Sequence, residues 1–390
     1  MRDIPYAKHI CTLEDVDEVL NVLNSDYLTQ GPTVNAFESQ LIESVTCQYA
    51  IAVSSATAAL HIAALSLSLT HSDIVWTVGN TFAATANSFK QTGAEIVFLD
   101  INISTFNIDL DGLALSLEEA ERSGVLPSVL VVVHFAGNPC AMAQIYSLSK
   151  QYSFRIIEDA SHAIGASYSC GALVGSCKYS DATVFSFHPA KIVTSGEGGA
   201  FTTNDGELAE RARLLRSHGI TKDSTNFEKS NPEPWYYEQK TLGLNYRMSD
   251  IHAALGFSQL KKLGTFVEKR NSWASRYKKE LGDLQIEFQE VSSTALSSYH
   301  LFTILLSDSA NRLSLYNFLR EKRIFCQVHY IPVYKFPFWQ KANGERDTKP
   351  LPNTENYYER TLSLPMYPSL SERDFTRITS QIRNFFKFVI

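Results

Sequence analysis

Between residues 50 and 203 the chain alternates two patterns of apolar and polar positions. Runs that are apolar at nearly every position fall at 50–53, 74–78, 95–100, 129–135, 155–159, 182–187 and 200–203. Amphipathic, helix-like segments at 57–69, 83–91, 110–123 and 142–152 separate several of them. Runs without a polar side predict strands buried on both faces, and the segments between predict helices lying across those faces. The combination predicts an α/β fold with a mainly parallel, seven-stranded sheet flanked by helices. Ligands on such sheets bind beyond the carboxyl ends of the strands.

After residue 205 the pattern changes. Residues 207–217 read as a helix with basic residues in its last turn, stopped at Gly219. Residues 222–239 are polar and aromatic, hold Pro232 and Pro234, and read as a loop. At eighteen residues it is longer than a compact domain normally tolerates, which marks it as functional or as an arm toward a second subunit. Residues 249–263 resume as a helix with Ser249 as N-cap, a long helix follows, and about 285–390 reads as α+β. The expected division is a large unit over 1–245, which includes the N-terminal segment, and a smaller C-terminal unit over 246–390.

Composition narrows the class. A net charge of −6 over 390 residues, with no Lys/Arg run, argues against a nucleic-acid footprint. The start, Met1 to Tyr6, carries charge and proline where a signal peptide needs an apolar stretch. The greasiest stretch, 58–69, is broken by His61 and two serines and is too short to span a bilayer. Cys11, Cys47, Cys140, Cys170, Cys177 and Cys326 form no CxxC pair and read as reduced thiols, and the sequence calls for no metal. The expectation is a cytoplasmic enzyme.

One pair of residues suggests its chemistry. Lys191 follows the run Phe185-Ser186-Phe187-His188-Pro189-Ala190 and precedes Gly196-Glu197-Gly198-Gly199, while Asp159 ends a strand-like run 32 residues upstream. An amine can join an aldehyde as a Schiff base, and a carboxylate can keep a pyridine nitrogen protonated, which is the logic of pyridoxal 5′-phosphate (PLP). The phosphate needs an anion hole, and Ser54-Ser55-Ala56-Thr57, between a strand and a helix, supplies free N–H groups at a helix start. Ser186 is a candidate second phosphate ligand. Phe82 could cover the ring face by offset stacking, and His162 could reach the ring hydroxyl.

The ordered set Ser55-Ala56-Thr57, Asn80-Thr81-Phe82, Glu158-Asp159-Ala160-Ser161-His162, Ser186-Phe187-His188 with Lys191, Gly196-Glu197-Gly198-Gly199, and Gly243-Leu244-Asn245-Tyr246-Arg247 resembles the DegT/DnrJ/EryC1/StrS-type sugar aminotransferase family. The resemblance covers nearly the whole chain and implies PLP-dependent transferase fold type I and action on nucleotide-linked keto-sugars. One departure is Ala56, where many relatives carry glycine. It changes little if the backbone there keeps a negative φ, because main-chain N–H groups bind the phosphate.

The segments Leu28-Thr29-Gln30-Gly31-Pro32, Pro234-Trp235-Tyr236-Tyr237-Glu238 and Gln327-Val328-His329-Tyr330-Ile331-Pro332-Val333 resemble most the pseudaminic acid branch of that family. That branch implies amino transfer from L-glutamate to C4 of a UDP-linked 4-keto-6-deoxy-N-acetylhexosamine.

The same resemblance implies that Lys191 carries the cofactor and shuttles the proton, and that Asn245 reaches the cofactor phosphate of a second subunit in a homodimer. It also implies that Tyr6, Thr29, Gln327, His329 and Tyr330 line the substrate pocket. Arg247, Lys222 and Lys335 are candidate partners of the diphosphate, and His188 has no assigned role. The alternatives are another nucleotide-linked keto-sugar (dTDP or GDP, aminated at C3 or C4), a PLP-dependent sugar dehydratase, or a PLP-binding regulatory protein. Dehydratase relatives carry histidine at the lysine position, so Lys191 disfavours that reading.

Overall fold

The computed structural model describes residues 2–343 and 350–389 and forms a strand at each of the seven apolar runs. These are β1 (Tyr49–Val53), β2 (Ile74–Val78), β3 (Glu95–Leu99), β4 (Val129–Val133), β5 (Arg155–Asp159), β6 (Ala182–Ser186) and β7 (Gly199–Thr203). They join in the order β1-β7-β6-β5-β4-β2-β3. Pairs β2–β3, β2–β4, β4–β5 and β5–β6 are parallel, and β7 runs against both of its neighbours.

Helices close both faces. They are α1 (Leu13–Leu23), α2 (Pro32–Val45), α3 (Ala56–Ser66), α4 (Ala83–Lys90), α5 (Leu110–Ser123), α6 (Met142–Tyr152), α7 (Gly206–Arg216), α8 (Asp250–Leu260) and α9 (Leu263–Leu281). The period of two splits each strand between two cores. Ile51, Val53, Val129, Val131 and Ile157 pack with α3, α4 and α7 through Leu60, Ile62, Phe89 and Leu208. Ala50, Ala52, Leu130, Val132 and Ile156 pack on the other side with Phe37, Leu41, Leu117, Ile145, Ala253 and Leu260.

Two expectations shift at their edges. The run 129–135 leaves the sheet after Val133, because the buried His134 turns its Nε2 to Glu158 Oε2 at 2.6 Å and Phe135–Gly137 forms a tight turn. The long loop is partly closed, since β8 (Ile220–Thr221) pairs with β9 (Glu238–Gln239). Gly219, at φ +69°, makes the turn into that hairpin, and a Cβ there would lie 1.9 Å from the Thr241 carbonyl oxygen.

A second, antiparallel sheet follows, in the order β10 (Ile286–Phe288), β11 (Phe302–Leu306), β12 (Thr361–Leu364). With α9 and the helices α10 (Ala310–Glu321), α11 (Pro337–Asn343), α12 (Pro352–Arg360) and α13 (Glu372–Val389) it completes the C-terminal region. Its core gathers Trp273, Tyr277, Phe302, Ile304, Leu319 and Phe385 around Ile4. Ile4 belongs there because its N–H and carbonyl bond Arg323 and Phe325. The N-terminal segment is thereby led across to the large sheet.

Arg270 on α9 is buried and donates to the carbonyls of Tyr299, His300 and Met366 at 3.1–3.2 Å. Arg270→Met would leave those carbonyls without donors. The unfolding free energy of the apoprotein should fall by about 3 kcal/mol, read from chemical denaturation. An unchanged midpoint would show that the clamp is dispensable.

Candidate active site

The carboxyl ends of β1, β2, β4, β5 and β6 open on one cavity of about 290 Å³. Asp159, the last residue of β5, is buried, and its carboxylate is held from two sides. Oδ1 accepts the Ser161 N–H at 3.1 Å and the Ser161 hydroxyl at 2.6 Å. Oδ2 accepts the Thr85 hydroxyl at 2.7 Å, and Thr85 lies 2.7 Å from Thr81. A carboxylate oxygen takes two donors, so Oδ2 retains one lone pair for a ligand N–H.

Glu158, one residue earlier, points to the opposite face and is fully buried. It accepts from His134, Tyr168, Ser180 and Thr183. Burial would raise its carboxyl, but these donors outweigh it and hold it below the usual range. The network fastens β5 to β4 and β6, and so fixes the mount of Asp159.

Lys191 sits in the turn after β6, tied by its N–H to the His188 carbonyl at 2.8 Å. Among the described residues no side chain hydrogen-bonds its amine. Burial pulls that amine down to about 8, against the opposing pull of the Asp159 charge. The amine therefore has a substantial neutral fraction near physiological pH, as a nucleophile or base requires.

The anion cradle is built from three segments. Ala58 N–H is taken by Ser55 Oγ at 3.1 Å and Ala59 N–H by the Ser55 carbonyl at 3.0 Å. The N–H groups of Ala56 and Thr57 at the start of α3 keep no protein partner among the described residues, which suits a phosphate. Ala56 is the first residue of α3 and is not among the positive-φ positions. Ser186 closes the cradle from β6, although β7 lies between β1 and β6. Gly199 permits the bridge: a Cβ there would lie 2.4 Å from the Ser55 carbonyl carbon and 2.5 Å from the Ala56 nitrogen. Together the N–H pair, the lone pair on Asp159 and the desolvated amine fit pyridoxal phosphate.

The C-terminal region supplies the rest of the wall. Ala136 N–H donates to His162 Nδ1 at 3.3 Å, so the remaining ring proton sits on Nε2 and points at the Tyr330 hydroxyl, 3.1 Å away. Burial and the nearby Lys191 hold His162 well below its usual value, so the ring is neutral. His329 is pushed down to about 3 by burial and by Lys191, with Nδ1 2.8 Å from Ser363 Oγ. Tyr6 packs its ring 5.4 Å from that of His329. Phe82, the N-cap of α4, presents an exposed ring to the cavity, 5.9 Å from Tyr330.

The structure thus brings Tyr6, Ala56, Thr57, Phe82, Asp159, His162, Ser186, Lys191, His329 and Tyr330 to one cavity. His188 also lines it, with Nδ1 accepting the Ala190 N–H at 3.2 Å. Thr29, Gln327 and Asn245 are exposed and lie outside it in the single chain. Arg247 donates to Ser217, Lys335 pairs with Glu355 at 2.6 Å, and neither they nor Lys222 lines the cavity. Sequence reasoning assigned no role to Thr85 or His300. Thr85 lies one turn beyond Phe82, and only that spacing could have suggested it. His300 carries no local signal.

In apoprotein, the rate of PLP capture should rise as pH passes about 8 and level off above it, because only the neutral Lys191 amine attacks. Stopped-flow absorbance reads this, and a midpoint near that of an ordinary lysine would contradict the desolvated amine. Gly199→Ala should weaken cofactor retention by about tenfold or more by pushing α3 outward, measured by dialysis against PLP. Unchanged retention would remove the cradle geometry.

The family model of the DegT/DnrJ/EryC1/StrS aminotransferases matches residues 10–383. The chain is 38% identical over 375 residues to a Campylobacter jejuni UDP-4-amino-4,6-dideoxy-N-acetyl-beta-L-altrosamine transaminase, covering 95% of this chain and 94% of that one. It is 36% identical to the Bacillus subtilis spore coat polysaccharide biosynthesis protein SpsC, covering 98% and 97%. The structure of Helicobacter pylori PseC, an aminotransferase involved in the biosynthesis of pseudoaminic acid, superposes with a TM-score of 0.89. It is 32% identical and is matched over 99% of this chain and 100% of its own. With the fold, the cavity and the match in agreement, this chain belongs to the DegT/DnrJ/EryC1/StrS aminotransferase family, whose cofactor is pyridoxal phosphate.

Proposed function

We propose that the enzyme moves an amino group from L-glutamate to C4 of a UDP-linked 4-keto-6-deoxy-N-acetylhexosamine, in the route to pseudaminic acid, and works in the cytoplasm. The observation that carries this reading is the joint presence, in one cavity, of a desolvated lysine amine, a triply hydrogen-bonded aspartate and a helix start whose first N–H groups have no protein partner among the described residues. Its substrate is supported by the named activity of the Campylobacter relative, which aligns over nearly the full length. The spore-coat relative, of similar identity, favours the second reading, an aminotransferase for another nucleotide-linked keto-sugar.

When bound, pyridoxal phosphate accepts the electrons left as a C–H bond beside the transferred amine breaks. Asp159 Oδ2 would hold the ring nitrogen protonated. Ala56, Thr57 and Ser186 would hold the phosphate and Phe82 the ring face. Lys191 Nζ, released from its covalent task, would take the proton from the donor carbon and return it two bonds away, across the transferred nitrogen. Tyr330, which accepts from His162, is left with its own O–H to donate into the cavity.

We also read the enzyme as a homodimer. Leu13, Val16, Leu20 and Leu23 form an exposed apolar stripe on α1, and Trp235, Tyr237 and Leu242 expose further apolar surface near Asn245 in the chain. A second copy covering these faces would bring Asn245 to a neighbouring cavity.

L-Glutamate should bleach the near-visible cofactor band of the wild-type enzyme, and Lys191→Ala should abolish steady-state turnover. A panel of UDP- and dTDP-linked 4-keto-sugars, with products read by mass spectrometry, should give a 4-amino-4,6-dideoxy UDP sugar. Exclusive turnover of a dTDP sugar would reject the substrate while leaving the aminotransferase assignment in place.

A further inference from the structure

Four imidazoles line the cavity, and three are already engaged. His162 uses both nitrogens, on Ala136 and Tyr330. His329 uses Nδ1 on Ser363, and the exposed His188 uses Nδ1 on Ala190. His300 differs. It is 4% exposed, its Nδ1 is fully buried without a partner, and neither ring nitrogen bonds protein among the described residues. Nδ1 is shut off from the cavity, whereas Nε2 is unpaired and is not among the fully buried atoms, so Nε2 is the nitrogen this cavity wall offers to a ligand.

The mount is rigid. Arg270 donates to the carbonyls on either side, Ser298 N–H bonds the Gly137 carbonyl, and Ser298 Oγ bonds the His162 carbonyl at 2.9 Å. The His300 ring then packs on that of His162 with centroids 4.3 Å apart. This is the arrangement of a preorganised contact, with its position set before the ligand arrives.

The surroundings specify an anion. Lys191 and the buried Arg270 both place positive charge toward His300, and together with burial they keep its ring neutral in the free protein. Among the cavity residues the sole lysine or arginine is Lys191, which the reaction engages elsewhere. Three anionic groups belong to the proposed substrates: the α- and γ-carboxylates of the amino donor and the diphosphate of the nucleotide sugar. The α-carboxylate is one bond from the carbon whose C–H breaks, so it must lie deep, near Lys191. The γ-carboxylate stands two methylenes away from that carbon and the diphosphate is separated from the reacting carbonyl by the sugar ring, so both lie farther out.

We propose that His300 receives the α-carboxylate of the amino donor, a contact that rests on the reading of L-glutamate as donor. The imidazole N–H donates to one carboxylate oxygen and makes a charge-assisted hydrogen bond that the keto-sugar does not use.

The test uses purified holoenzyme and single-turnover conversion by L-glutamate alone, followed by cofactor absorbance. Glutarate, which has carboxylates but no amine, serves as an unreactive competitor that reports binding without chemistry. His300→Phe should raise the half-saturating glutamate concentration by about 10- to 100-fold and weaken glutarate in parallel, with keto-sugar half-saturation within about threefold of wild type. His300→Asn or His300→Gln should recover much of the loss by restoring one N–H. His300→Ala, which also lacks an N–H donor, carries the test if the Phe variant does not fold. Unchanged glutamate saturation overturns the proposal, as does a rise confined to the keto-sugar, which assigns the contact to the diphosphate. Equal loss for both substrates with weakened PLP retention also overturns it. Wild-type enzyme inert to glutamate overturns the donor assignment itself, a result distinguishable from an active wild type beside an unaffected variant.

Discussion

A lysine amine stripped of water and a buried aspartate, placed beyond the ends of two adjacent strands, form the constraint on which the rest of the site depends. Each group is costly alone: the amine in a desolvated wall, the carboxylate without a salt-bridged cation. The fold tolerates Asp159 because three protein donors satisfy it. It tolerates Lys191 because the neutral form carries no desolvation penalty of that size. A ligand offering an aldehyde to one and a ring N–H to the other relieves both.

Much of the surrounding architecture can be understood as support for that pair. The Glu158–His134 network spends a second buried carboxylate on locking β5 between β4 and β6. Reversal of β7 puts a glycine, rather than a side chain, between Ser186 and the first turn of α3. The N-terminal segment pairs with the C-terminal region at Ile4 and so delivers Tyr6 to the cavity. Residues from both ends of the chain therefore meet over a site whose reactive groups come from its middle.

The parts legible in the sequence were those encoded locally. Each of the seven strand runs was readable because a strand buried on both faces has no polar side, and Asp159 and Lys191 stood out because a charged residue ends or follows such a run. The Ser55–Thr57 cradle was legible as a helix start after a strand. Thr85 was not, because a threonine in the first turn of a helix has many local explanations, and its bond to Asp159 spans 74 positions. His300 was hidden for the same reason: its neighbours His162 and Arg270 are set by tertiary packing. Strand edges were misplaced where a side chain left the ladder for a polar partner, as His134 does. Thr29, Gln327 and Asn245, expected from resemblance, lie on the surface of one chain, where a second copy would have to complete their setting.

The most direct measurement is reductive trapping. Holoenzyme treated with borohydride, digested and mapped by mass spectrometry should carry the pyridoxyl group on the peptide containing Lys191, and replacing Asp159 with alanine should shift the cofactor's absorbance as the ring nitrogen loses its proton. A pyridoxyl group on another lysine, or an Asp159→Ala spectrum identical to wild type, would contradict the account.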